Sequence, residues 1–248
     1  TIAFDNVQWA EVDMTVSLIR SGAVTGSQVS ISSINETANT ITFSASVSAV
    51  AGDLLVRSSN GATNYNKELT GLAAIVKDSG SLHGIDPSTT PVWKSTVTAL
   101  GTPPTPATLT ELNLINLVQK VDKQGGEVDV FLASPGVYNA YWSLLTSMRQ
   151  FTNGATLTGG QRSFTFEALG KPIKFVSDYA APSNTLYALS SKELVINRKR
   201  DWAWMDRDGS MWQRVGETDA YQARLFQYSE IGTYRRNAHA KLTNIAEL

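Results

Sequence analysis

One stretch, Arg198 to Asn237, constrains the fold more than any other part of the chain. It reads RKRDWAWMDRDGSMWQRVGETDAYQARLFQYSEIGTYRRN, holds three of the six tryptophans and interleaves both signs of charge. Asp208-Gly209 is a two-residue type I′ turn signal between Trp202–Met205 and Met211–Val215, which predicts two short facing strands with bulky side chains. Aromatic rings bury area at little entropic cost, and guanidinium groups bond in a fixed fork. Such a surface is built to be covered. The plainer reading of the same residues is an ordinary hairpin with one well-filled face.

Composition narrows what could do the covering. At 248 residues the chain forms one large domain or two small ones, with ample material for a core. The net charge is −1, which argues against a basic nucleic-acid groove. From Lys192 to Leu248, ten Lys and Arg face eight Asp and Glu, a balance that suits protein against protein, with complementary charge fixing register. Cysteine is absent, which removes disulfides, thiolate-held zinc and cysteine nucleophiles. No run approaches the roughly 20 apolar residues of a membrane span, and no signal peptide opens the chain. Thr1 stands where an initiator methionine would, so the expectation is a processed chain or a piece of a longer one.

Residues 1–66 form a separate β-rich block. Val12, Met14, Val16 and Leu18 alternate with polar neighbours, Gly22 and Gly26 break the run, and Val29 and Ile31 resume it. Asn35 to Asn39 reads as a turn before Ile41 and Phe43, while Gly52-Asp53 and Asn60-Gly61 flank Leu54–Val56. Four short strands suggest a small barrel-like or sandwich module; the alternative is one long projecting hairpin. Further on, Gly71–Val76 reads as a short apolar turn or helix. Gly84 to Trp93 reads as a loop anchored by Ile85 and Trp93, and Gly101 to Pro106 as a stiff boundary. A helix is predicted from Thr108 or Thr110 to Gln124, with Glu111 near its start, an apolar face from Leu112 to Val121, and Gly125-Gly126 at its end. Val128–Leu132 reads as a buried strand. Pro135 then opens a second helix whose stripe of Tyr138, Tyr141, Trp142, Leu145 and Met148 is read as core. Gly154, Gly159 and Gly160 mark a loop. Gly170 and Pro172 separate two strand-like runs, and Leu186–Leu189 and Glu193–Ile196 are further strands. Strands and helices mix without βαβ alternation, so the fold class is α+β.

Motifs for chemistry are sparse. His83 and His239 have no convincing company as acid, base or ligand. There is no G-x-S-x-G elbow, phosphate loop or dinucleotide fingerprint. Asp206, Asp208, Ser210 and Glu217 occupy positions 1, 3, 5 and 12 of a possible calcium loop, but position 6, which needs glycine, is Met211. Asp201, Asp206, Asp208, Glu217 and Asp219 lie among tryptophans that could stack on sugars, which keeps a carbohydrate-binding or glycan-cleaving protein as an alternative. No cofactor or metal is expected.

The order of the pieces resembles the major capsid proteins of tailed bacteriophages, whose fold is the Hong Kong 97-like capsid fold. The likeness rests on GLAAIVKDSGSLHGID with its Pro87–Trp93 loop, LTELNLINLVQKV, VDVFLASPGVYNAYWSLL, FEALGKPIKFVSDYAAP, and the terminal run from Asp208 to Ile245. The resemblance implies a P-domain segment over residues 67–105, an axial A domain over 106–192 and a P-domain return over 193–248. It also implies a long spine helix, an N-terminal arm and a projecting E-loop. No predicted helix is long enough for that spine, so residues 1–66 are expected to be an inserted module or the E-loop hairpin, and the arm and spine to be missing. The implied function is a non-enzymatic shell subunit that assembles through pentamers and hexamers around double-stranded DNA. Portal, scaffolding and decoration proteins would be further partners, no membrane is involved, and the shell would be built in the bacterial host cytoplasm. An encapsulin-type compartment around protein cargo is the alternative on the same fold. Arg198, Arg200, Arg235 and Arg236 are the candidate subunit-interface residues. Trp204, Trp212 and Tyr234 are expected to pack inside the P domain.

Overall fold

The computed structural model describes residues 1–4, 7, 9–59, 62, 63, 65, 67, 69–148, 164–206, 209–216 and 219–248. The expected turn at Asn60-Gly61 and the glycine-marked loop at Gly154, Gly159 and Gly160 lie outside them. The chain divides into two compact units, Thr1–Glu68 with Asp178–Ser183, and Leu69–Ser177 with Asn184–Leu248.

The first unit is a six-stranded sheet built from β1 (Ile2–Ala3), β2 (Thr15–Arg20), β3 (Ala23–Asn35), β4 (Thr40–Phe43), β5 (Leu54–Ser59) and β6 (Ala62–Thr63). Its order is β1-β4-β3-β2-β5-β6, every pair is antiparallel, and β1 does not pair with β6 among the described residues. Val7, Val16, Ile31, Ile41 and Phe43 form its core, with Met14 and Val29 packed against it. Val12 does not join them as the alternation suggested, because Asp13 takes a left-handed φ of 67° and β2 begins only at Thr15. Ser21 and Gly22, with φ of 52° and 82°, make the tight turn from β2 to β3. Gly26 does not end a strand. At φ 77° it lies inside β3, where the register slips between Val16↔Val29 and Leu18↔Thr25.

Arg20 ties the end of β2 to the start of β5. Its Nε and Nη2 donate to the two Asp53 oxygens at 2.9 and 2.7 Å, and Asp53 also accepts the Val50 N–H. The Arg20 hydrogen bonds, then the Val50 N–H, hold the Asp53 carboxyl down to about 2.

The second unit follows in chain order as α1 (Leu72–Ile75), β7 (Thr96–Ala99), α2 (Glu111–Lys123), β8 (Val130–Ala133), α3 (Pro135–Met148), β9 (Phe164–Ala168), β10 (Lys171–Ser177), β11 (Leu186–Leu189), β12 (Leu194–Trp204), β13 (Gln213–Arg214), β14 (Tyr221–Gln222), β15 (Leu225–Thr233) and β16 (Ala240–Thr243). A mixed sheet runs β7-β16-β11-β8-β10-β9, with β7 parallel to β16 and β8 parallel to β10. All four β11 residues are buried, since alternation along one strand sends Leu186 and Ala188 to one core and Tyr187 and Leu189 to another. The first core takes Leu114, Leu117, Val118 and Val121 from α2, and Val137, Tyr138 and Tyr141 from α3. Tyr141 stacks on Phe175 with centroids 4.7 Å apart, so most of the aromatic stripe is core as expected.

The ends of α2 show how local sequence sets the element. Thr110 Oγ1 accepts the Asn113 N–H, and Glu111 sits in the first turn, where the helix dipole favours a carboxylate. At the other end Gly125 adopts φ 77°, its N–H bonds Asp122 O, and the Gly126 N–H bonds Val121 O, which is the Schellman pattern. A Cβ on Gly126 would lie 2.8 Å from Ala238 Cα, so the second glycine answers a packing demand. In the loop before β7, Leu82 is the buried anchor and Ile85 is exposed, the reverse of the expectation for Ile85.

The Arg20–Asp53 contact predicts an acid step in the first unit. A carboxyl depressed from 3.8 to about 2 contributes stability above its unfolded value and loses it as pH falls through the folded one. Unfolding midpoints should therefore drop between about pH 4 and pH 2, and Asp53→Asn should remove that slope; an unchanged slope in the variant would show that the pair is not its source.

Candidate assembly surface

Strands β12 and β15 pair only with each other among the described residues, forming a long two-stranded ribbon. The pairing is antiparallel from Leu194↔Thr233 to Trp204↔Leu225, and the ladder is continued by Met205 N–H to Arg224 O. This overturns the predicted hairpin of 202–205 against 211–215. The chain between the strands instead carries the small pair β13–β14, with Gln213↔Gln222. Of the proposed turn pair, Gly209 has φ 78°, and Asp208 lies outside the described residues, as does Glu217. Ser210 spends its hydroxyl on the Trp212 backbone.

Two bulges decide which side chains share a face. Directly paired residues lie on the same side, so Ile196, Ile231, Arg198, Ser229, Trp204 and Leu225 line one face. Register shifts after Arg198 and after Arg200 each insert a residue into β12. The first moves Arg200 to the opposite face from Arg198, beside Tyr228, and the second returns Trp204 to the original face. Arg200 then lies over the Phe226 ring at 4.8 Å, and Phe226 meets Tyr228 at 5.3 Å. Among the described residues the ribbon meets the unit's core at its base, through Leu194 and Ile231.

The expected packing of Trp204, Trp212 and Tyr234 inside the unit is not what the structure shows. They are 49%, 58% and 68% exposed, and Trp202, Tyr221, Leu225 and Tyr228 are exposed as well. Trp204 ends β12, and among the described residues the two-stranded ribbon has no second layer over it; Trp212 and Tyr234 lie outside both ribbon strands. Arg198 pairs weakly with Asp201 at 3.7 Å and both are in solvent. Arg235 donates to Glu193 at 3.1 Å and to Gly125 O at 2.9 Å, at the surface.

Arg236, expected from sequence as a candidate subunit-interface residue, is buried within the unit at 1% exposure, unlike Arg235 beside it. Its guanidinium donates to the carbonyls of Ile75, Gly80, Ala74 and Ser79 at 2.8 to 3.2 Å, and Ser95 Oγ donates to its own carbonyl at 2.6 Å. Burial pulls its pKa below the usual value, against the nearby Asp78 charge. No sequence motif marks this role, although a one-turn helix such as α1 must find donors for its last carbonyls somewhere.

His239, one step further on, is fully buried. Ser190 N–H donates to Nδ1 at 3.2 Å, so the neutral ring carries its proton on Nε2 and donates to Thr233 Oγ1 at 3.0 Å. Burial pushes its pKa down to about 4, with Asp129 opposing and Arg235 assisting. The ring is a structural linker. Among the described residues no group of three His, Asp or Glu side chains is placed to hold a metal, and no described helix is long and apolar enough to cross a membrane.

With the geometry in place, the likenesses to known proteins are specific. The backbone superposes on the capsid asymmetric unit of cyanophage A-1(L) with a TM-score of 0.52 and 17% identity, over 71% of this chain and 60% of that one. The architecture is thus a phage capsid fold of the Hong Kong 97-like class. Residues 33–246 match the SU10 major capsid protein family, and the chain belongs to that family. The holo-SrpI encapsulin complex from Synechococcus elongatus PCC 7942 matches with a TM-score of 0.38 and 16% identity, over 61% of this chain and 53% of that one. No curated protein matches. The chain spans 60% of the length of the cyanophage capsid chain.

Two buried groups generate predictions. Arg236→Ala removes a donor from four carbonyls, of which Ile75 O keeps the Lys77 N–H, and should cost about 3 kcal/mol or more in urea unfolding; a loss under about 1 kcal/mol would show that the guanidinium does not hold the segment. His239 binds its proton in the unfolded chain near the ordinary 6.5 and in the folded chain only near 4. Stability should therefore fall from about pH 6.5 to pH 4 by roughly 3 kcal/mol and level off below. His239→Gln should flatten that window, whatever its own stability, and a retained slope would assign it to another group.

Proposed function

We propose that this chain is the repeating subunit of an icosahedral shell, assembled through hexamers and pentamers around double-stranded DNA. The shell is the virion capsid, built in the cytoplasm of a bacterial host, and the subunit works by contact and catalyses nothing. The observation that carries the proposal is the β12–β15 ribbon. An isolated two-stranded ribbon is marginal in water, yet this one holds tryptophans, tyrosines and aliphatic side chains in solvent on both faces. Membership of a major capsid protein family supplies the partner, further copies of the same chain.

In this reading residues 106–192 are the axial A domain, while 67–105 and 193–248 make the P domain. Arg198, Arg200 and Arg235 then lie at subunit boundaries, where mixed charge selects geometry and aromatic burial supplies attraction. Near-zero net charge suits a wall that encloses DNA without reading its sequence. Portal, scaffolding and decoration proteins would dock on the assembled lattice.

Purified full chain imaged by electron microscopy under assembly conditions should give closed shells or capsomers. A persistent monomer would overturn the proposal. Particles from infected or expressing cells should contain double-stranded DNA; particles filled with protein and free of nucleic acid would favour the compartment alternative.

A further inference from the structure

Among the described residues, the segment 71–95 covers part of the second unit's sheet without joining its strand ladder. Its regular structure is the single turn of α1 and a 3-10 turn at Pro91–Trp93. Leu72, Ile75, Val76, Leu82 and Trp93 nevertheless share one core with Tyr187 and Leu189 of β11 and with Leu194 and Ile231 at the base of the ribbon. The other side of β11 is packed by α2 and α3. A layer held by side chains opens more readily than the paired strands beneath it.

The middle of this layer is fastened by a side chain 161 residues further along the chain. Arg236 donates from Nε to Ile75 O at 2.8 Å, from Nη1 to Gly80 O at 2.9 Å, and from Nη2 to Ala74 O and Ser79 O at 3.0 and 3.2 Å. Gly80 has φ 76°, so the turn that brings these oxygens together uses a conformation that favours glycine. Asp78 adds negative charge nearby. A guanidinium suits such a nest because its donors spread in one plane, whereas the three donors of an ammonium surround a single point. Other fastenings stand at the ends, where Thr70 N–H meets the Glu230 carboxylate at 2.7 Å and Ser95 Oγ meets the Arg236 carbonyl at 2.6 Å. Closing also has a cost, since Trp93 Nε1 is buried without an acceptor among the described residues.

We propose that residues 71–95 are a strap that opens and closes over this core as one unit, and that the carbonyls of residues 74–80 form a receptor for a guanidinium group, with Arg236 as its resident ligand. Because Leu194 and Ile231 lie in the same core, closure of the strap also fixes the base of the ribbon. A layer held by apolar packing alone would behave differently. It would not respond to a small cation, and it would not separate guanidinium from ammonium. The strap belongs to the single chain and does not depend on the shell reading.

Chemical rescue tests the receptor. In the full chain bearing Arg236→Ala, guanidinium chloride at about 50 mM should raise the thermal midpoint by about 2–4 °C, and ammonium or sodium chloride at the same ionic strength should not. The wild type has its nest filled, so there guanidinium acts only as a weak denaturant and should lower the midpoint slightly. Arg236→Lys fills the cavity with its own stem and ammonium, and should gain nothing from guanidinium. Hydrogen exchange tests the strap. The amides of Ala74, Ile75, Val76, Leu82 and Trp93, all bonded within the segment, should lose protection together in Arg236→Ala while those of β8 and β11 stay protected, and guanidinium should slow the strap again by about fivefold. A variant that folds only in the presence of guanidinium meets the expectation as well. If guanidinium lowers the variant's midpoint as it does the wild type's, if ammonium serves equally, or if the variant folds under neither condition, the receptor is wrong; if β8 and β11 lose protection with the strap, the segment is not a separate unit.

Discussion

The second unit depends on one buried cation. Arg236 sits among the carbonyls of residues 74 to 80, and among the described residues no carboxylate lies within ion-pair distance of it. Burying a guanidinium is costly unless its donors are satisfied, and here backbone carbonyls satisfy four hydrogen bonds. The same short turn fastens two other elements. Arg235 and Asn237 donate to Gly125 O and Gln124 O at the end of α2, and His239 joins β11 to β15 through Ser190 and Thr233. Four of the five residues from Arg235 to His239 thereby bind the segment around α1, the last turn of α2 and the base of the ribbon to one point.

That anchoring explains why the ribbon can exist without a layer beneath it. Leu194 and Ile231 lock its base into a core, Tyr234 N–H bonds Glu193 O, Thr70 N–H bonds the Glu230 carboxylate, and from there the ladder runs outward on hydrogen bonds and cross-strand contacts. The two bulges strengthen local twist and distribute arginines to both faces, so neither face becomes a plain apolar strip inviting edge-to-edge aggregation. Arg200 over Phe226 is the product of the first bulge, since strict alternation would have put it on the far side.

What could be read from sequence followed the range of the interactions. α2 was legible at both ends because Thr110, Glu111 and Gly125-Gly126 act within one turn of where they stand. Pro135 at the start of α3 and the aromatic stripe behind it were equally local. The ribbon was not. Its strands pair across some twenty intervening residues, and Arg198 to Asp201 interrupts the apolar alternation that marks a strand, so β12 showed only as two fragments. The Asp-Gly signal at 208–209 pointed to the nearest partner and missed the true one. Arg235 and Arg236 are chemically identical in sequence and separate only when the backbone turn sends one to solvent and the other into the core. The order of the first unit's strands was hidden for a similar reason, because alternation along a strand does not reveal which strand lies beside it.

Anchoring and assembly are linked through entropy. A flexible arm loses conformational freedom when it docks, and that loss subtracts from every contact it makes, by about 0.5–1.5 kcal/mol for each ordered long side chain. The ribbon has its backbone paired in advance and its base fixed by the Arg236 and His239 network, so most of its ordering cost belongs to folding. Aromatic rings with two rotatable bonds add contact area with little further loss. Individual surface contacts can then remain weak, as exposed ion pairs are, while many repeats of one contact across a shell sum to a stable lattice. A buried polar hub that stabilises the monomer thus sets how weak, and how selective, each contact between copies can be.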